Sequence, residues 1–365
     1  MERYSYRAHC IKTVILSAAV LFSPQRVCGQ DVSVPAPKEP AQTTAAKSTT
    51  PLIDAVLNGD AKAVAASAAT KSNLNERDAA GNSPLALAAK SGHVSITKLL
   101  IDAGAEINHQ NAHGETPLAF AAMAGHGPIV RALLTKGADF RLLSKSKMPP
   151  LALAASGCFD ASLAAILDAG EQADAPLPDG RRALMIVAQT CPPAIADMLI
   201  TKGAQVDSAD HSGRTAAWYA ADNGKLAVLE TLSGRGANLD LPDKEEETPL
   251  YRALLRGNEH VSTYLMGRGC SITRTTKFGN TALMLAARGG NRALIDALLK
   301  VNVELDSRNS AGYSALMMAA AHGNTAAAVA LIKAGANSFL HNKKRETALD
   351  IATAAGHQEI VDLLK

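Results

Sequence analysis

The sequence has few aromatic residues, and this shortage limits the kind of core that it can build. Phenylalanine, tyrosine and tryptophan make up 4% of the 365 residues, and tryptophan occurs once. Hydrophobic residues nevertheless make up 47% of the chain, and most of them are alanine and leucine. Both are strong helix formers. The composition therefore predicts a helical protein with a large core of small and aliphatic side chains.

The chain also lacks a large excess of charge of either sign. It contains 37 Lys and Arg against 34 Asp and Glu, and four of the basic residues and one of the acidic residues fall within the first 29 positions. Residues 30–365 therefore carry 33 charges of each sign. A neutral chain has no overall field that attracts polyanions, so we expect neither nucleic acid nor an anionic membrane as a partner.

The apolar run near the N terminus is too short to cross a membrane. It covers residues 14–22, whereas a spanning helix needs about 20 apolar residues. Three basic residues precede it: Arg3, Arg7 and Lys12. With the small residues Val27 and Gly29 at its exit, the pattern predicts a secretory signal peptide over residues 1–29, cleaved near Gly29, and no membrane span afterwards. A retained anchor and lipidation at Cys28 are the alternatives, although the residues before Cys28 resemble a bacterial lipobox poorly.

Residues 30–49 are rich in Pro, Ala, Thr and Ser, which predicts a flexible linker. The chain contains no Asn-x-Ser/Thr glycosylation site with a permitted middle residue. For an exported protein with many asparagines, this favours a bacterial periplasm over a eukaryotic secretory route. We therefore expect the protein to be periplasmic or secreted.

Beyond the linker, the sequence repeats every 33 residues. The position at which each helical segment begins recurs at this interval: Thr50, Ser83, Thr116, Pro149, Arg182, Thr215, Thr248, Thr281, Ser314 and Thr347. A fixed period over the whole remaining chain is typical of repeat architectures. Thr and Ser suit the N-cap of a helix, and the Pro that often follows suits its first turn.

Two segments show the repeated pattern most completely: "GETPLAFAAMAGHGPIVRALLTKGAD" and "GNSPLALAAKSGHVSITKLLIDAGAE". They closely resemble the ankyrin repeat, and the resemblance extends over residues 50–365. It implies an all-α ankyrin-repeat solenoid of about ten 33-residue helix–turn–helix units with short β-hairpin fingers. A glycine in the turn and another after the second helix would supply left-handed backbone.

Ankyrin repeats bind through their concave side, which is formed by the finger tips and the first helix of each repeat. The resemblance therefore implies a protein partner. Arginine and aromatic residues, which dominate interface energetics, concentrate at these positions in the middle and late repeats. The predicted partner-binding residues are Arg181, Arg214, Glu247, Leu255, Arg256, Lys277, Phe278, Arg288 and Tyr313.

Another set of candidates occupies the position of each repeat where the family's Thr-Pro-Leu-His motif has its histidine. We call such equivalent positions of successive repeats a column. In this chain the column never contains histidine, and from the fifth repeat onward it includes Met185, Trp218 and Tyr251. These side chains would extend the binding surface as an apolar stripe, with Trp218 and Tyr251 among the partner-binding residues, or would pack between neighbouring repeats. The sequence leaves both interpretations open.

Cysteine is scarce, and only Cys158, Cys191 and Cys270 follow residue 29. Cys158 and Cys191 are 33 positions apart, in the turn-glycine column of the two least regular repeats, and Pro192 and Pro193 suit an irregular turn. A disulfide between them suits an oxidising compartment. Regular stacking at about 9–10 Å, however, exceeds the about 7 Å between Cα atoms that a disulfide tolerates. A disulfide, two reduced thiols and a reactive or metal-binding cysteine are the alternatives.

The sequence shows no motif for catalysis, cofactor binding or metal binding. It lacks a phosphate-binding glycine loop and a nucleophile elbow, and His93, His126 and His357 share one column of the repeat rather than a metal-ligand spacing. We therefore predict a non-enzymatic, monomeric scaffold that binds a protein partner in the periplasm. A structural or protective accessory of a periplasmic enzyme or envelope assembly, and a secreted effector that acts on host proteins, are the alternatives.

Overall fold

The computed structural model describes residues 50–70, 73–301 and 303–365, and in these residues the chain consists of helices and turns without β-strands. The predicted signal peptide of residues 1–29 and the predicted linker of residues 30–49 lie outside the described residues. The alternatives for Cys28 lie outside them as well. Residues Leu52–Lys365 form one compact unit.

The described residues contain twenty helices, two in each of ten 33-residue repeats. We number the helices in chain order, so that odd numbers mark the first helix and even numbers the second helix of a repeat. The first helices are α1 Pro51–Leu57, α3 Pro84–Ser91, α5 Pro117–Ala124, α7 Pro150–Ser156, α9 Ala183–Thr190, α11 Ala216–Asp222, α13 Pro249–Leu255, α15 Ala282–Gly289, α17 Ala315–His322 and α19 Ala348–Ala355. The second helices are α2 Ala61–Ala69, α4 Val94–Ala103, α6 Gly127–Thr135, α8 Asp160–Asp168, α10 Pro193–Thr201, α12 Leu226–Gly234, α14 Glu259–Gly267, α16 Arg292–Lys300, α18 Thr325–Lys333 and α20 Gln358–Leu364. The predicted all-α repeat fold is confirmed, but the fingers predicted as short β-hairpins are tight turns, because the described residues contain no β-strand.

Most first helices begin at a Thr or Ser that caps them. In repeat 3, the Oγ1 of Thr116 accepts a hydrogen bond from Ala119 N at 3.1 Å, and Pro117 follows at a position where a missing N–H costs nothing. The same cap recurs at Ser83, Thr215, Thr248, Thr281, Ser314 and Thr347. Repeats 4 and 5 begin instead at Pro149 and Arg182, whose side chains make no cap hydrogen bond.

A turn glycine joins the two helices of a repeat, and a side chain from the following repeat covers it. Gly92 has a φ of 80°, a conformation that residues with a Cβ rarely adopt. A Cβ at this position would lie 2.6 Å from Cε1 of His126, the residue before the second helix of the next repeat. This contact, which we call the turn interlock, lets neighbouring repeats approach closely. The turn glycines of other repeats are covered in the same way by His93, Phe159, Asn258, Asn324 and His357.

The fingers are tight turns that precede the first helices of repeats 2–10, and we number them by the repeat that they begin. In finger 3, the Oδ1 of Asn111 accepts hydrogen bonds from the backbone N of His113 at 2.8 Å and of Glu115 at 2.9 Å. One backbone hydrogen bond, from Ala112 N to Ala80 O at 3.2 Å, joins fingers 3 and 2. Because the bond between fingers joins backbone atoms, the side chains at the finger tips can vary from repeat to repeat.

The core runs through the first helices, which are buried on almost every side. In α5, the side chains of Leu118, Ala121 and Ala122 are completely buried. The other first helices contribute equivalent leucines and alanines. Small side chains at these positions allow the helices to pack closely, with each repeat in contact only with its neighbours.

We expect Gly92→Ala to destabilise the protein more than Gly104→Ala. Both glycines have left-handed φ values, so both variants carry a backbone cost of about 1–2 kcal/mol. Only the methyl group at Gly92 would also meet a side chain, because no atom lies within 4 Å of the Cβ position at Gly104. Urea unfolding of the two variants measures the difference, and adding His126→Ala should remove the excess loss at Gly92. Equal losses for the two glycine variants would contradict the turn interlock.

Candidate functional site

The partner-binding residues predicted from the sequence occupy fingers 5–9 and the ends of two first helices. We call nine of them the candidate surface: Arg181, Arg214, Glu247, Lys277, Phe278 and Tyr313 on the fingers, Leu255 and Arg256 at the end of α13, and Arg288 in the last turn of α15. Arg256, Lys277, Phe278 and Arg288 are exposed, and the other five are half-buried. Successive fingers from 5 to 9 are joined by backbone hydrogen bonds of 2.8–3.2 Å. The surface residues therefore stand on connected backbone.

Trp218 and Tyr251 are not part of this surface, because both side chains are buried. The exposed fraction is 4% for Trp218 and 0% for Tyr251, and Met185 in the same column is 1% exposed. The hydroxyl of Tyr251 donates to the backbone O of Arg274, and also lies 3.4 Å from Ile272 O, in the loop that leads to repeat 8. This column packs between neighbouring repeats, so Trp218 and Tyr251 support the surface from beneath and do not reach a partner.

Two guanidinium groups lie over the indole ring of Trp218, and the sequence pattern indicated only one of them. The Cζ atoms of Arg214 and Arg252 are 4.6 Å and 4.7 Å from the ring centroid. Such cation–π contacts hold an arginine in a defined orientation. Arg252 stands in a column where other repeats carry apolar residues such as Leu285. Its charge in that column was the one sequence feature that could have identified it.

Asp222, at the end of α11, joins two arginines of the next repeat in an ion-pair cluster. Its Oδ1 accepts hydrogen bonds from Arg252 Nη2 at 2.7 Å and from Arg256 Nε at 2.8 Å. Arg252 Nη1 also donates to Glu247 Oε2 at 2.9 Å. Burial by itself would raise the pKa of Asp222, but the hydrogen bonds from Arg256 and Arg252 outweigh burial and hold the pKa below its ordinary value. The carboxylate therefore stays ionised and fixes Arg256 on the candidate surface.

Tyr219 braces finger 6, which carries Arg214. Its hydroxyl donates to Asp210 Oδ2 at 2.6 Å, while Oδ1 of the same carboxylate accepts hydrogen bonds from Ser212 N and Arg214 N. Burial and the neighbouring carboxylate raise the pKa of Tyr219 to about 12. The hydroxyl therefore remains a hydrogen-bond donor at neutral pH and keeps the finger in place.

Most charges of the candidate surface are paired within the chain. Besides the Asp222 cluster, the pairs are Lys277 Nζ with Glu245 Oε1 at 3.3 Å, Arg181 Nε with Asp179 Oδ2 at 2.6 Å, and Arg214 Nε with Asp243 Oδ2 at 3.8 Å. Solvent-exposed ion pairs contribute only about 0–1 kcal/mol each. The chain's own carboxylates thus neutralise most of the cations of this surface.

Phe278 is the most exposed apolar side chain of the candidate surface. It is 59% exposed at the tip of finger 8. The backbone O of Phe278 accepts from Ser310 N at 2.9 Å, and Lys277 N donates to Glu245 O at 2.9 Å, so finger 8 is tied to both neighbouring fingers. Tyr313 on finger 9 packs partly against the core. Finger 8 therefore displays an aromatic ring openly on fixed backbone.

The described residues offer no arrangement typical of a metal centre and no helix that could span a membrane. They contain no group of three or more His, Cys, Asp and Glu that could hold a metal ion. None of their helices is both long and apolar enough to cross a membrane.

Cys158 and Cys191 lie at bonding distance. Their Sγ atoms are 2.08 Å apart and their Cα atoms 5.4 Å apart, which is well inside the about 7 Å limit for a disulfide. Cys158 has a φ of 57° and so keeps the left-handed turn of the glycine that it replaces, whereas Cys191 is extended. The two turns therefore depart from regular stacking and approach each other. Cys270 is a free, buried thiol, and burial raises its pKa to about 11.

Comparison with known families finds matches along the repeats. A family model described as ankyrin repeats, in three copies, matches residues 28–111, 52–144, 98–175, 151–243, 232–309 and 290–365. No curated protein matches the chain.

We expect Asp222→Asn to lower the free energy of unfolding at neutral pH by about 1–3 kcal/mol, because charge-assisted hydrogen bonds to both arginines are lost. The substitution should also make the free energy of unfolding less dependent on pH in the acid range. The pKa of Asp222 is lower in the folded chain than its ordinary value of 3.8, so the ionised group stabilises the fold above that value and this contribution disappears as the pH falls through the folded-state pKa.

Urea unfolding at about pH 6 and about pH 3 measures this effect. The matched control is Asp296→Asn, which removes an exposed carboxylate paired with Arg292. If Asp222→Asn keeps the pH dependence of the unaltered protein, the stabilising role of the Asp222 cluster is ruled out.

Proposed function

We propose that this chain, which belongs to the ankyrin-repeat family, is a non-enzymatic scaffold that binds a protein partner in the bacterial periplasm through the candidate surface. Ankyrin repeats generally mediate protein–protein interaction. Family membership thus supports binding of a protein. The position of the surface, the compartment and the chemistry of the partner are our further proposals.

The observation that carries the proposed position is Phe278, an exposed ring on a finger whose backbone is tied on both sides. Burying a phenylalanine side chain contributes about 1.5–3 kcal/mol, whereas each exposed ion pair around it contributes about 0–1 kcal/mol. The aromatic contact therefore outweighs any single charged contact. We infer that the partner presents an apolar pocket to Phe278.

The arginines of the surface supply orientation more than affinity. Arg214 is stacked on Trp218, and Arg256 is held by Asp222. A side chain that is already ordered loses less conformational entropy on binding. Because the chain's own carboxylates already neutralise these cations, we expect the affinity for the partner to depend weakly on salt concentration.

Location in the periplasm is supported by two independent features. The N-terminal pattern of residues 1–29 is typical of a secretory signal peptide. The Cys158–Cys191 pair suits the same compartment, because disulfides persist in oxidising environments and are rare in the cytosol. Residues 30–49 would then tether the repeats to the processed N terminus.

We expect Phe278→Ala to weaken binding of the main partner about tenfold or more, because the loss of a buried ring exceeds about 1.4 kcal/mol. The partner is first identified by cross-linking in intact cells and mass spectrometry, and the Kd of the two purified proteins is then measured by titration calorimetry. Phe339→Ala is the matched control, since Phe339 is 80% exposed and lies outside the candidate surface.

An unchanged Kd for Phe278→Ala would exclude the proposed position of the binding surface. Several weakly bound partners that all tolerate the substitution would favour a structural accessory instead.

We expect the exported protein to begin at Gln30, because the signal peptide is cleaved after Gly29. N-terminal sequencing and intact mass of the protein from fractionated cells test this. A chain that keeps Met1 in the membrane fraction would indicate a retained anchor, and a lipid mass on Cys28 would indicate a lipoprotein. Recovery only outside the bacterium would favour a secreted effector.

A further inference from the structure

The backbone ladder that joins successive fingers is interrupted between repeats 4 and 5. At every other junction from finger 2 to finger 10, one backbone N–H donates to the backbone O of the preceding finger, as from Lys145 to His113 and from His211 to Asp179. The equivalent position in finger 5 is Pro178. Proline has no N–H to donate, so this junction cannot form the hydrogen bond.

A second link between loops is missing at the same junction. At most junctions, an Asp or Asn side chain three residues before the finger accepts a hydrogen bond from a backbone N of the next repeat, as Asn108 does from Asp139 N at 2.8 Å and Asp174 from Gln205 N at 3.2 Å. In repeat 5's junction with repeat 4, the acceptor position, equivalent to Asn108 and Asp174, is occupied by Arg141. The backbone N that would donate to it is that of Gln172. A guanidinium group has no acceptor atom, so this bridge cannot form either.

The second helices also approach each other least at this junction. The backbones of α6 and α8 lie close together, whereas those of α8 and α10 come close at fewer positions than in any other neighbouring pair of second helices. An exposed ion pair between Asp168 and Lys202, with Oδ1 and Nζ 2.7 Å apart, joins the ends of α8 and α10. Exposed pairs of this kind are screened by solvent. The first helices of the two repeats remain as the main noncovalent contact.

The Cys158–Cys191 bond crosses this same junction. It joins the turn after α7 to the turn after α9, at the opposite ends of these helices from fingers 4 and 5. A covalent link therefore stands at the one junction where the chemistry of Pro178 and Arg141 removes two of the ordinary links.

We propose that the junction of repeats 4 and 5 is the separable joint of the stack, and that thiol–disulfide exchange at Cys158–Cys191 switches repeats 1–4 and repeats 5–10 between coupled and independent units. The proposal does not rest on the position of the partner-binding surface. Its physical basis is that repeats interact only with their neighbours, so the coupling of the two halves equals the strength of this one junction.

Breaking the bond requires a dithiol as reductant, and forming it again is the reverse exchange with the disulfide form of that reagent as oxidant. One thiolate of the reductant attacks Cys158 Sγ, which is half-buried, whereas Cys191 is 3% exposed. Cys191 leaves with the electron pair of the broken S–S bond and takes up a proton. The second thiol of the reductant then displaces Cys158, which also becomes a thiol, and the reductant leaves as a disulfide.

The single tryptophan makes the two halves distinguishable. Trp218 lies in repeat 6 and is buried, so its fluorescence reports on repeats 5–10, while far-UV circular dichroism reports on all the helices. The full exported chain is unfolded with guanidinium chloride with and without dithiothreitol. In the oxidised protein we expect the two curves to lie close together. After reduction, we expect the dichroism curve to gain a transition at a lower concentration of guanidinium chloride. The fluorescence midpoint should move less than half as far from the oxidised midpoint as this new transition does.

Two outcomes of the unfolding measurement would overturn the proposal. If neither curve changes on reduction, the junction does not depend on the bond. If both curves shift by equal amounts, the bond stabilises all repeats alike. Alkylation of the unreduced, denatured protein has to label Cys270 alone. Label on Cys158 and Cys191 as well would show that no bond forms.

Variants assign the effect to the junction itself. Cys158→Ser with Cys191→Ser should behave like the reduced protein, and Cys270→Ser like the unaltered protein. Adding Pro178→Lys and Arg141→Asn to the double serine variant restores a donor N–H and an acceptor side chain, and should bring the two curves together again. If these additions leave the curves apart, the weakness does not come from the missing finger links and the proposal fails.

Discussion

The contact between a turn glycine and the side chain that the next repeat places over it is the constraint on which the stack depends. At Gly92 the left-handed backbone has no Cβ, and the ring of His126 occupies the space that a Cβ would need. Each such contact joins neighbouring repeats only, so the stability of the stack is a sum of local and nearest-neighbour terms. Repeats 4 and 5 carry cysteines at the glycine position, and there the two turns are joined through sulfur.

Close approach of the repeats also decides which side chains remain available for binding. First-helix residues are enclosed by helices on both sides, and Trp218 and Tyr251 are buried with them. The finger tips project beyond this packing, and the hydrogen bonds between neighbouring fingers join backbone atoms. A finger can therefore carry an exposed Phe278 while its backbone stays fixed. Rigidity of the fingers and exposure of their side chains have the same physical origin.

The electrostatics of the candidate surface arise between repeats and not within them. Asp222 meets Arg252 and Arg256, about one repeat further along the chain. The sequence places all three residues on or directly after first helices, but their pairing depends on side-chain directions that no local pattern specifies. Arg214 and Arg256 were identified from repeat columns alone, whereas Arg252 was not, because its column is not a usual binding position. Asp222 shares the column of Leu255 and Arg288 but was not among the predicted residues.

By itself, the sequence determined the period, the helix pairs, their caps and turns, and the columns in which surface residues would be found. These features depend on local backbone preferences and on a pattern repeated ten times, so each repeat reinforces the prediction. Only the tertiary structure decided that Trp218 and Tyr251 are buried and that Cys158 and Cys191 come within 5.4 Å between Cα atoms. The physical reason is that burial and approach depend on how two repeats pack, and the two cysteines lie where packing departs from the average spacing on which sequence reasoning relied.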